Sequence, residues 1–518
     1  MLPSKPPAWV GDAVFYQIFP DRFARSPRMS PPGDLEPWDA PPTRDGFKGG
    51  DLLGVVEHLD YLADLGITAL YLNPIFMSAS NHRYHTYDYF RVDPLLGGDA
   101  ALDELLAAAR GRGMRVVLDG VFNHSGRGFW PFHHVAEVGD ASPYRDWFNL
   151  DPAVEAGRRP LRPYPARAEL AALEAARHAG TTLRAGDASR AVLGYEAWWD
   201  LPALPKLNVA NPAMREHLLS AAEHWIRRGI DGWRLDVPEE IADDEFWREF
   251  RARVKVANPE AYIVAEIWHV APDRLQGDQF DATMNYPLAE AILGFVGGRH
   301  LDMAVIGQHG TYAGAVGPLD GPAFAQRLGE LLAAYDPAVS AAQLNLVGSH
   351  DLPRFVTMCG GDRTSLRLAT LVQMTLPGAP CLYYGDEVGL EGGIDPGSRG
   401  GFPWEPERWD IALRESIRGA IAVRHAERVL RHGRFHLLVA EGAAIAYARS
   451  DENTYLVVAV NAADEPATLP LSLPGSGGRL LERIGGSDAR DGVHVALADD
   501  GSGALALAGR SGVVLKLA

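Results

Sequence analysis

Short apolar runs recur along the chain as far as residue 385, and most are followed by stretches whose apolar positions fall at helical spacing. "AVFYQIF" (Ala13 to Phe19), "ITALYL" (Ile67 to Leu72), "MRVVLDGV" (Met114 to Val121), "GWRLDV" (Gly232 to Val237), "AYIVAEI" (Ala261 to Ile267), "AQLNLV" (Ala342 to Val347) and "APCLYYG" (Ala379 to Gly385) read as strands. They lack the apolar-polar alternation of a half-solvated sheet, so both faces should be covered, as in a parallel sheet. Between them, "LLGVVEHLDYLADLG", "ALDELLAAARGRG" and "PAMREHLLSAAEHWIRRG" carry amphipathic helical patterns. Repeated strand-helix units of this length predict a (β/α)8 barrel, with a weaker eighth strand near Ala282 to Tyr286.

Two segments break the alternation. The stretch between "DGVFNH" (Asp119 to His124) and "LPKLN" (Leu204 to Asn208) is too long for a strand-helix connection and predicts an inserted subdomain at the barrel mouth. Beyond Arg431, "AAIAYARS", "YLVVAVNA" and "GVVLKLA" alternate with Gly, Asp and Ser clusters and predict a small antiparallel β domain. The expected divisions are residues 1–124 for the first part of the barrel, 125–207 for the insert, 208–431 for the rest of the barrel and 432–518 for the C-terminal domain.

Composition narrows the partners. The 518 residues are 47% hydrophobic and 22% charged, with 49 basic against 67 acidic side chains and a formal charge of -18. That excess disfavours nucleic acid and anionic membrane surfaces and suits a neutral ligand. Cys359 and Cys381 are the only cysteines, too few for a disulfide framework and without zinc-site spacing, so both are expected as buried thiols. The N-terminal stretch has no apolar run of signal-peptide length, and no later run reaches transmembrane length, which predicts a cytoplasmic protein.

Barrel enzymes work at the carboxyl ends of their strands. There this sequence places Asp119 and His124 after the third strand, Arg234 and Asp236 at the end of the fourth, Glu266 at the end of the fifth, and His350 and Asp351 after the seventh. Residues i and i+2 of a strand share a face, so Arg234 and Asp236 point into one space. A retaining glycosidase needs a nucleophilic carboxylate and, about 5 Å away, a carboxylic acid that protonates the leaving oxygen. Asp236 and Glu266 on adjacent strands fit that pair.

"DGVFNH", "LPKLN", "GWRLDV", "AEIW" (Ala265 to Trp268) and "GSHDLPR" (Gly348 to Arg354), in this order, resemble the alpha-amylase superfamily of retaining glycoside hydrolases. "YEAWWDLPALPKLN", "GDAVFYQIFPDRFA" and "YYGDEVGLEGG" are similar to its neopullulanase, cyclomaltodextrinase and maltogenic amylase group. The resemblance implies Asp236 as nucleophile, Glu266 as acid/base and Asp351 as the third carboxylate, which stabilises the transition state. Arg234 should keep Asp236 ionised, since a nearby cation lowers a carboxylate's pKa. Glu266 needs the reverse, a retained proton, which burial and neighbouring negative charge favour.

By the same resemblance His124 and His350 meet sugar hydroxyls, Tyr84 is the platform under the cleaved sugar, and Trp268 contacts the leaving sugar. Glu240 is expected at the leaving-group side, and Asp395 and Arg399 in a glucan-binding loop. Trp198 and Trp199 either pack in the core, the favoured reading, or offer apolar faces to sugar rings; Asp119 is expected to be structural, and His133 and His134 to be packing or surface residues of the insert.

The sequence also departs from the group. His85 follows Tyr84 in "HRYHTYDYF", "VPEE" follows the nucleophile, and two glycines stand in "SRGGFPW". The barrel begins soon after Trp9, so the dimer that other members form through an extra N-terminal domain is not expected. "DRFARSPRMSPPGD" with Asp51 alone is a poor calcium site, because calcium takes about six or more oxygens; no metal and no cofactor are expected. The implied activity is hydrolysis of α-1,4 bonds, with α-1,6 bonds as a second target, in maltodextrins, cyclomaltodextrins or pullulan through a glycosyl-aspartate intermediate. A 4-α-glucanotransferase or α-glucosidase on the same scaffold, and a non-catalytic glucan-binding barrel, stay open as alternatives.

Overall fold

The computed structural model describes residues 5–30, 32–179, 187–474, 478–484 and 502–517. Eight parallel strands form the central sheet: β1 (Phe15–Ile18), β2 (Ala69–Leu72), β3 (Arg115–Gly120), β4 (Gly232–Leu235), β5 (Tyr262–Ala265), β6 (Ala282–Thr283), β7 (Leu344–Leu346) and β8 (Ala379–Tyr383). Their order is β6-β5-β4-β3-β2-β1-β8-β7, and a parallel bridge from Met284 to Leu344 joins the two ends into a barrel. The eighth strand of the sequence reading is the two-residue β6. It is short, yet its place between β5 and β7 is what closes the ring.

Every residue of β1, β2, β4, β5, β7 and β8 is buried, which is why none of them alternates in sequence. In β4, Trp233 packs outward near Phe76 and Phe122 while Arg234 faces inward. Gly232 is required by close approach: a Cβ there would lie 2.2 Å from the Tyr262 carbonyl oxygen on β5.

The helices cover the outside. Pro212–Arg228 starts where Asn211 accepts the Ala213 and Met214 N–H groups, carries Pro at its first position and ends at Gly229 with φ 116°. Its buried face presents Met214, Leu218, Leu219, Ala222, Trp225 and Ile226 to the barrel. No helix among the described residues is long and apolar enough to cross a membrane.

The C-terminal strands are β9 (Arg434–Glu441), β10 (Ala444–Ser450), β11 (Tyr455–Asn461), β12 (Ala467–Ser472), β13 (Gly478–Ile484), β14 (Ser502–Leu507) and β15 (Ser511–Leu517). They form an antiparallel sheet in the order β9-β10-β11-β15-β13 and an antiparallel pair β12-β14. Leu469, Leu471, Leu505 and Leu507 pack on Ala446, Val457 and Leu515 to make a second core. Arg449 on β10 donates to the carbonyls of Thr375 and Leu430, and Arg424 to those of Gly11, Met374 and Gly378. The Arg449 contact ties the C-terminal sheet to Thr375 before β8, and Arg424, on the helix Ile411–Ala426, reaches segments that precede β1 and β8, the end of the barrel away from the carboxyl ends of its strands. Cys359 and Cys381 are both free and buried.

Candidate active site

The barrel ladder continues one residue past β4 and β5. Asp236 N–H donates to the Gly120 carbonyl at 3.0 Å, and Glu266 N–H to the Leu235 carbonyl at 3.0 Å. Both carboxylates therefore stand on backbone fixed by the sheet rather than on free loop. The register aligns Asp119 with Arg234, and Leu235 with Ala265, so Asp119, Arg234, Asp236 and Glu266 meet at the mouth.

One guanidinium organises them. Arg234 Nη1 lies 2.8 Å from Asp119 Oδ1 and 3.1 Å from Asp236 Oδ1, and Nη2 lies 3.0 Å from Glu266 Oε2. Its Nε points to Met284 Sδ at 3.4 Å. Asp119 spends its other oxygen on the hydroxyls of Tyr71 and Tyr84, at 2.9 and 2.8 Å, which agrees with a structural role. Glu266 Oε2 also accepts the Val237 N–H at 2.9 Å, and Oε1 accepts the Trp268 indole N–H at 3.2 Å. Asp236 Oδ2 is buried and has no hydrogen-bond partner among the described residues. Val237, next in sequence, sits in the left-handed region at φ 37°, which a β-branched residue adopts only under constraint.

Three carboxylates share one fixed cation, and burial decides the outcome. It pushes the Asp236 carboxyl well above the ordinary carboxylate range; the Arg234 guanidinium pulls it back, and repulsion from Glu266, Asp119 and Asp351 raises it further. The expectation that Arg234 keeps Asp236 ionised therefore meets an opposing push: burial and three neighbouring carboxyls raise the Asp236 pKa against the pull of the guanidinium. Asp351 is pushed up to about 7, first by burial and then by Glu266, with Arg399 and Arg234 opposing. It keeps 27% of its side chain exposed and lies 3.2 Å from His350 Nε2.

His350 already has partners on both ring nitrogens: Nε2 takes Tyr84 Oη at 2.6 Å, and Nδ1 faces Gln17 Nε2 at 2.9 Å and Asn73 Nδ2 at 3.2 Å. Tyr84 lies parallel to His350 with centroids 5.4 Å apart. Arg399 closes this side, with Nε on the His350 carbonyl at 2.9 Å, Nη1 on Asp395 at 2.9 Å and Nη2 at 3.7 Å from Asp351. Gln17, Asn73 and Tyr71 were absent from the sequence-based set. Each lies at or just beyond the carboxyl end of β1 or β2, a signal as good as the one that located His350.

His124 is fully buried, its Nε2 has no hydrogen-bond partner among the described residues, and burial lowers its pKa to about 3, so it stays neutral. A bridge pairs it with Lys206 of "LPKLN". Trp198 stacks on its ring at 4.8 Å and 8°, and Trp199 stacks on Trp198 at 4.9 Å and 7°. Of the two readings for this tryptophan pair, packing holds for Trp198, stacked on both faces, and not for Trp199, which is 46% exposed. Two consecutive left-handed residues, Trp199 and Asp200, turn the chain outward, and nothing in "AWWD" announces that.

Trp268 lies against Tyr286, centroids 3.5 Å apart, with its N–H committed to Glu266. Glu240 pairs with Lys206 at 3.4 Å, and both line a cleft of about 530 Å³ with Asn149, Glu196, Asn208 and Asp243. His134 meets Ser142 Oγ at 2.9 Å and the rings of Trp130 and Tyr144, and the His133 side chain is 59% exposed, as expected of packing and surface positions.

The loop after β1 does not fit a calcium ion. Asp51 gives its two oxygens to the N–H groups of Ser26 and Gly54, and Asp21 to those of Lys48 and Gly49. The buried Lys48 ammonium donates to the Pro37 and Ala40 carbonyls, both at 2.7 Å, so the cationic position is taken by the chain itself. Among the described residues no group of three or more His, Cys, Asp or Glu side chains is arranged to hold a metal.

Comparison with known proteins follows the same lines. Residues 17–410 match the family model described as alpha amylase, catalytic domain. The cyclomaltodextrinase of Geobacillus thermopakistaniensis is 42% identical over 485 residues, covering 93% of this chain and 74% of that protein. Ttha1563 from Thermus thermophilus superposes with a TM-score of 0.87 at 46% identity, over 98% of this chain and 100% of the other. The debranching enzyme of Nostoc punctiforme gives 0.83 at 42% identity, over 99% and 100%. With the barrel closed, the carboxylates gathered on Arg234 and these relatives alongside, the chain belongs to the alpha-amylase family of glycoside hydrolases.

Proposed function

We propose that this protein hydrolyses α-1,4-glucosidic bonds of maltodextrins and cyclomaltodextrins with retention of configuration, and that it also takes α-1,6 bonds. The observation that carries the reading is the asymmetry of Asp236: Oδ1 is held by Arg234 while Oδ2 is unpartnered at the mouth of the barrel. That free oxygen attacks the anomeric carbon. Glu266 is held by the other arm of the same guanidinium, which keeps the two carboxyl groups side by side, as the close pair of a retaining enzyme requires. Its Oε2 is tied to Arg234 and the Val237 N–H, which leaves Oε1, beside the Trp268 indole, to carry the proton.

In the first step, with the proton of the carboxyl cluster on Glu266 and Asp236 as carboxylate, the Asp236 Oδ2 to C1 bond forms, the C1 to glycosidic-oxygen bond breaks, and the Glu266 proton passes to the leaving oxygen. In the second, Glu266 takes a proton from water, the water oxygen bonds to C1, and Asp236 departs as carboxylate. Asp351 and His350 hold the sugar while positive charge builds on its ring, and Tyr84 lies beneath it. His124 offers its free Nε2 to a sugar hydroxyl. Trp268 positions Glu266, Glu240 with Lys206 borders the leaving-group side, and Asp395 with Arg399 borders the other.

The relatives' names support the two bond types separately, one being a cyclomaltodextrinase and another a debranching enzyme. Residues 125–207 read as the inserted subdomain that walls the cleft, between barrel segments 1–124 and 208–431, with 432–518 as the C-terminal domain. A relative named intracellular maltogenic amylase supports a cytoplasmic site of action.

Product analysis over time with maltoheptaose, β-cyclodextrin and pullulan as separate substrates, with Glu266→Gln in parallel, tests this reading. Ring opening of β-cyclodextrin and short maltodextrins that vanish in the variant are expected. Equal inertness of wild type and variant on all three would overturn it.

A further inference from the structure

His124, Trp198 and Trp199 form a column of three parallel rings that runs from the active-site floor to solvent. At its base, His124 adjoins the backbone of Tyr84, whose hydroxyl joins Asp119 and His350. At its top, Trp199 is 46% exposed, and among the described residues its only ring neighbour is Trp198. We infer that Trp199 is a sugar-stacking platform that takes a glucosyl unit of the α-glucan chain outside the cleaved subsite. The inference rests on the α-glucan reading of the site and adds a specificity-determining residue to it.

Three observations carry it. The first is position: Ala197 bridges Pro205 and Lys206 bridges His124, so the tryptophan pair hangs from the segment that pairs with the active-site strand end. The second is chemistry. The Trp199 indole stacks on Trp198 with one face, and its exposed remainder offers an apolar surface that suits the CH face of a pyranose. The third is enforced geometry.

Trp199 (φ 53°, ψ 28°) and Asp200 (φ 52°) are consecutive left-handed residues without glycine. They hold because Asp200 accepts the Ser189 N–H at 2.8 Å, Ser189 Oγ accepts the Ala197 N–H at 3.0 Å, and Trp198 N–H reaches the Leu204 carbonyl at 2.9 Å. Strain of this kind persists where the surroundings over-determine it, and it clusters at ligand sites. A tryptophan that served only to fill a core would gain nothing from being turned outward; a rigid platform does, because no ordering remains to be done when the sugar arrives.

The test is the affinity of maltotriose and maltoheptaose, measured by titration calorimetry in an Asp236→Asn background so that neither is consumed. Trp199→Ala should weaken maltoheptaose about 10-fold, the scale of one lost aromatic face, and maltotriose much less; Trp199→Tyr should recover most of the loss. A purely structural role would lower both affinities together and would not be rescued by Tyr. Equal maltoheptaose affinity with and without the Trp199 ring, or an equal loss on both sugars, would overturn the platform. Neither result would touch the hydrolytic reading, which stands or falls on wild-type turnover.

Discussion

Asp351→Asn should cost activity and raise stability, and both effects follow from the crowding of carboxylates around Arg234. Asp351 ordinarily titrates at 3.8 and is pushed up to about 7, mainly by burial. At about 1.4 kcal/mol per pH unit, that difference caps the cost of carrying its charge at about 4 kcal/mol. Because 27% of its side chain meets solvent, about 2 kcal/mol is the better figure.

The sign is fixed by linkage. A carboxyl whose folded pKa is raised contributes stability that is fully present below pH 3.8 and is lost as pH climbs through about 7. Asparagine never ionises. The variant's advantage should therefore be near zero below pH 4, grow between pH 4 and 7, and level off above. With an unfolding entropy of about 2.1 cal/mol/K per residue, 2 kcal/mol in a chain of 518 residues is a Tm rise of about 2 °C at pH 8. Differential scanning calorimetry of the ligand-free proteins from pH 4 to 8 reads it. A variant less stable than wild type at pH 8, or a difference that ignores pH, would refute the reasoning.

Gly232→Ala should destabilise by about 1–3 kcal/mol or misfold, because its Cβ meets the Tyr262 carbonyl on the neighbouring strand; chemical denaturation measures it. Lys48→Met leaves the Pro37 and Ala40 carbonyls without their donor and should cost about 1–3 kcal/mol, while a chelator should leave the wild-type Tm unchanged. Trp268→Phe keeps the ring against Tyr286 but deletes the indole donor to Glu266. Steady-state kinetics should show kcat lower by about 10-fold or more with KM nearly constant, the pattern of a lost positioning contact.

The barrel was legible because its strands are apolar on both faces, and four of them, β3, β4, β5 and β7, run out into the Asp, Glu or His residues from which the site is built. Asp236 and Glu266 could be paired from sequence because adjacent parallel strands end together. The two-residue β6 was readable only weakly, since its role is to close a ring and closure leaves no local pattern. The sharing of Arg234 among three carboxylates was not readable at all. It depends on register across β3, β4 and β5, and the balance of burial against attraction at Asp236 depends on how much solvent that register excludes. Packing and sugar-platform readings could not be separated for Trp198 and Trp199, because two adjacent indoles in "YEAWWD" fit either, and the left-handed turn that exposes Trp199 is held by Ser189 and Leu204 rather than by a glycine. Lys48 as a built-in cation also lay hidden, because its carbonyl partners come from a loop with no periodic signal.

The central claim is that Asp236 forms a covalent bond to the sugar. Incubating the enzyme with 5-fluoro-α-glucosyl fluoride, which slows breakdown of a glycosyl-enzyme, and sequencing the labelled peptide by mass spectrometry tests it directly. One fluoroglucosyl group on Asp236, absent in Asp236→Asn, is the predicted result; a label on Glu266 or Asp351, or turnover with no labelled enzyme and an inverted product, would contradict it.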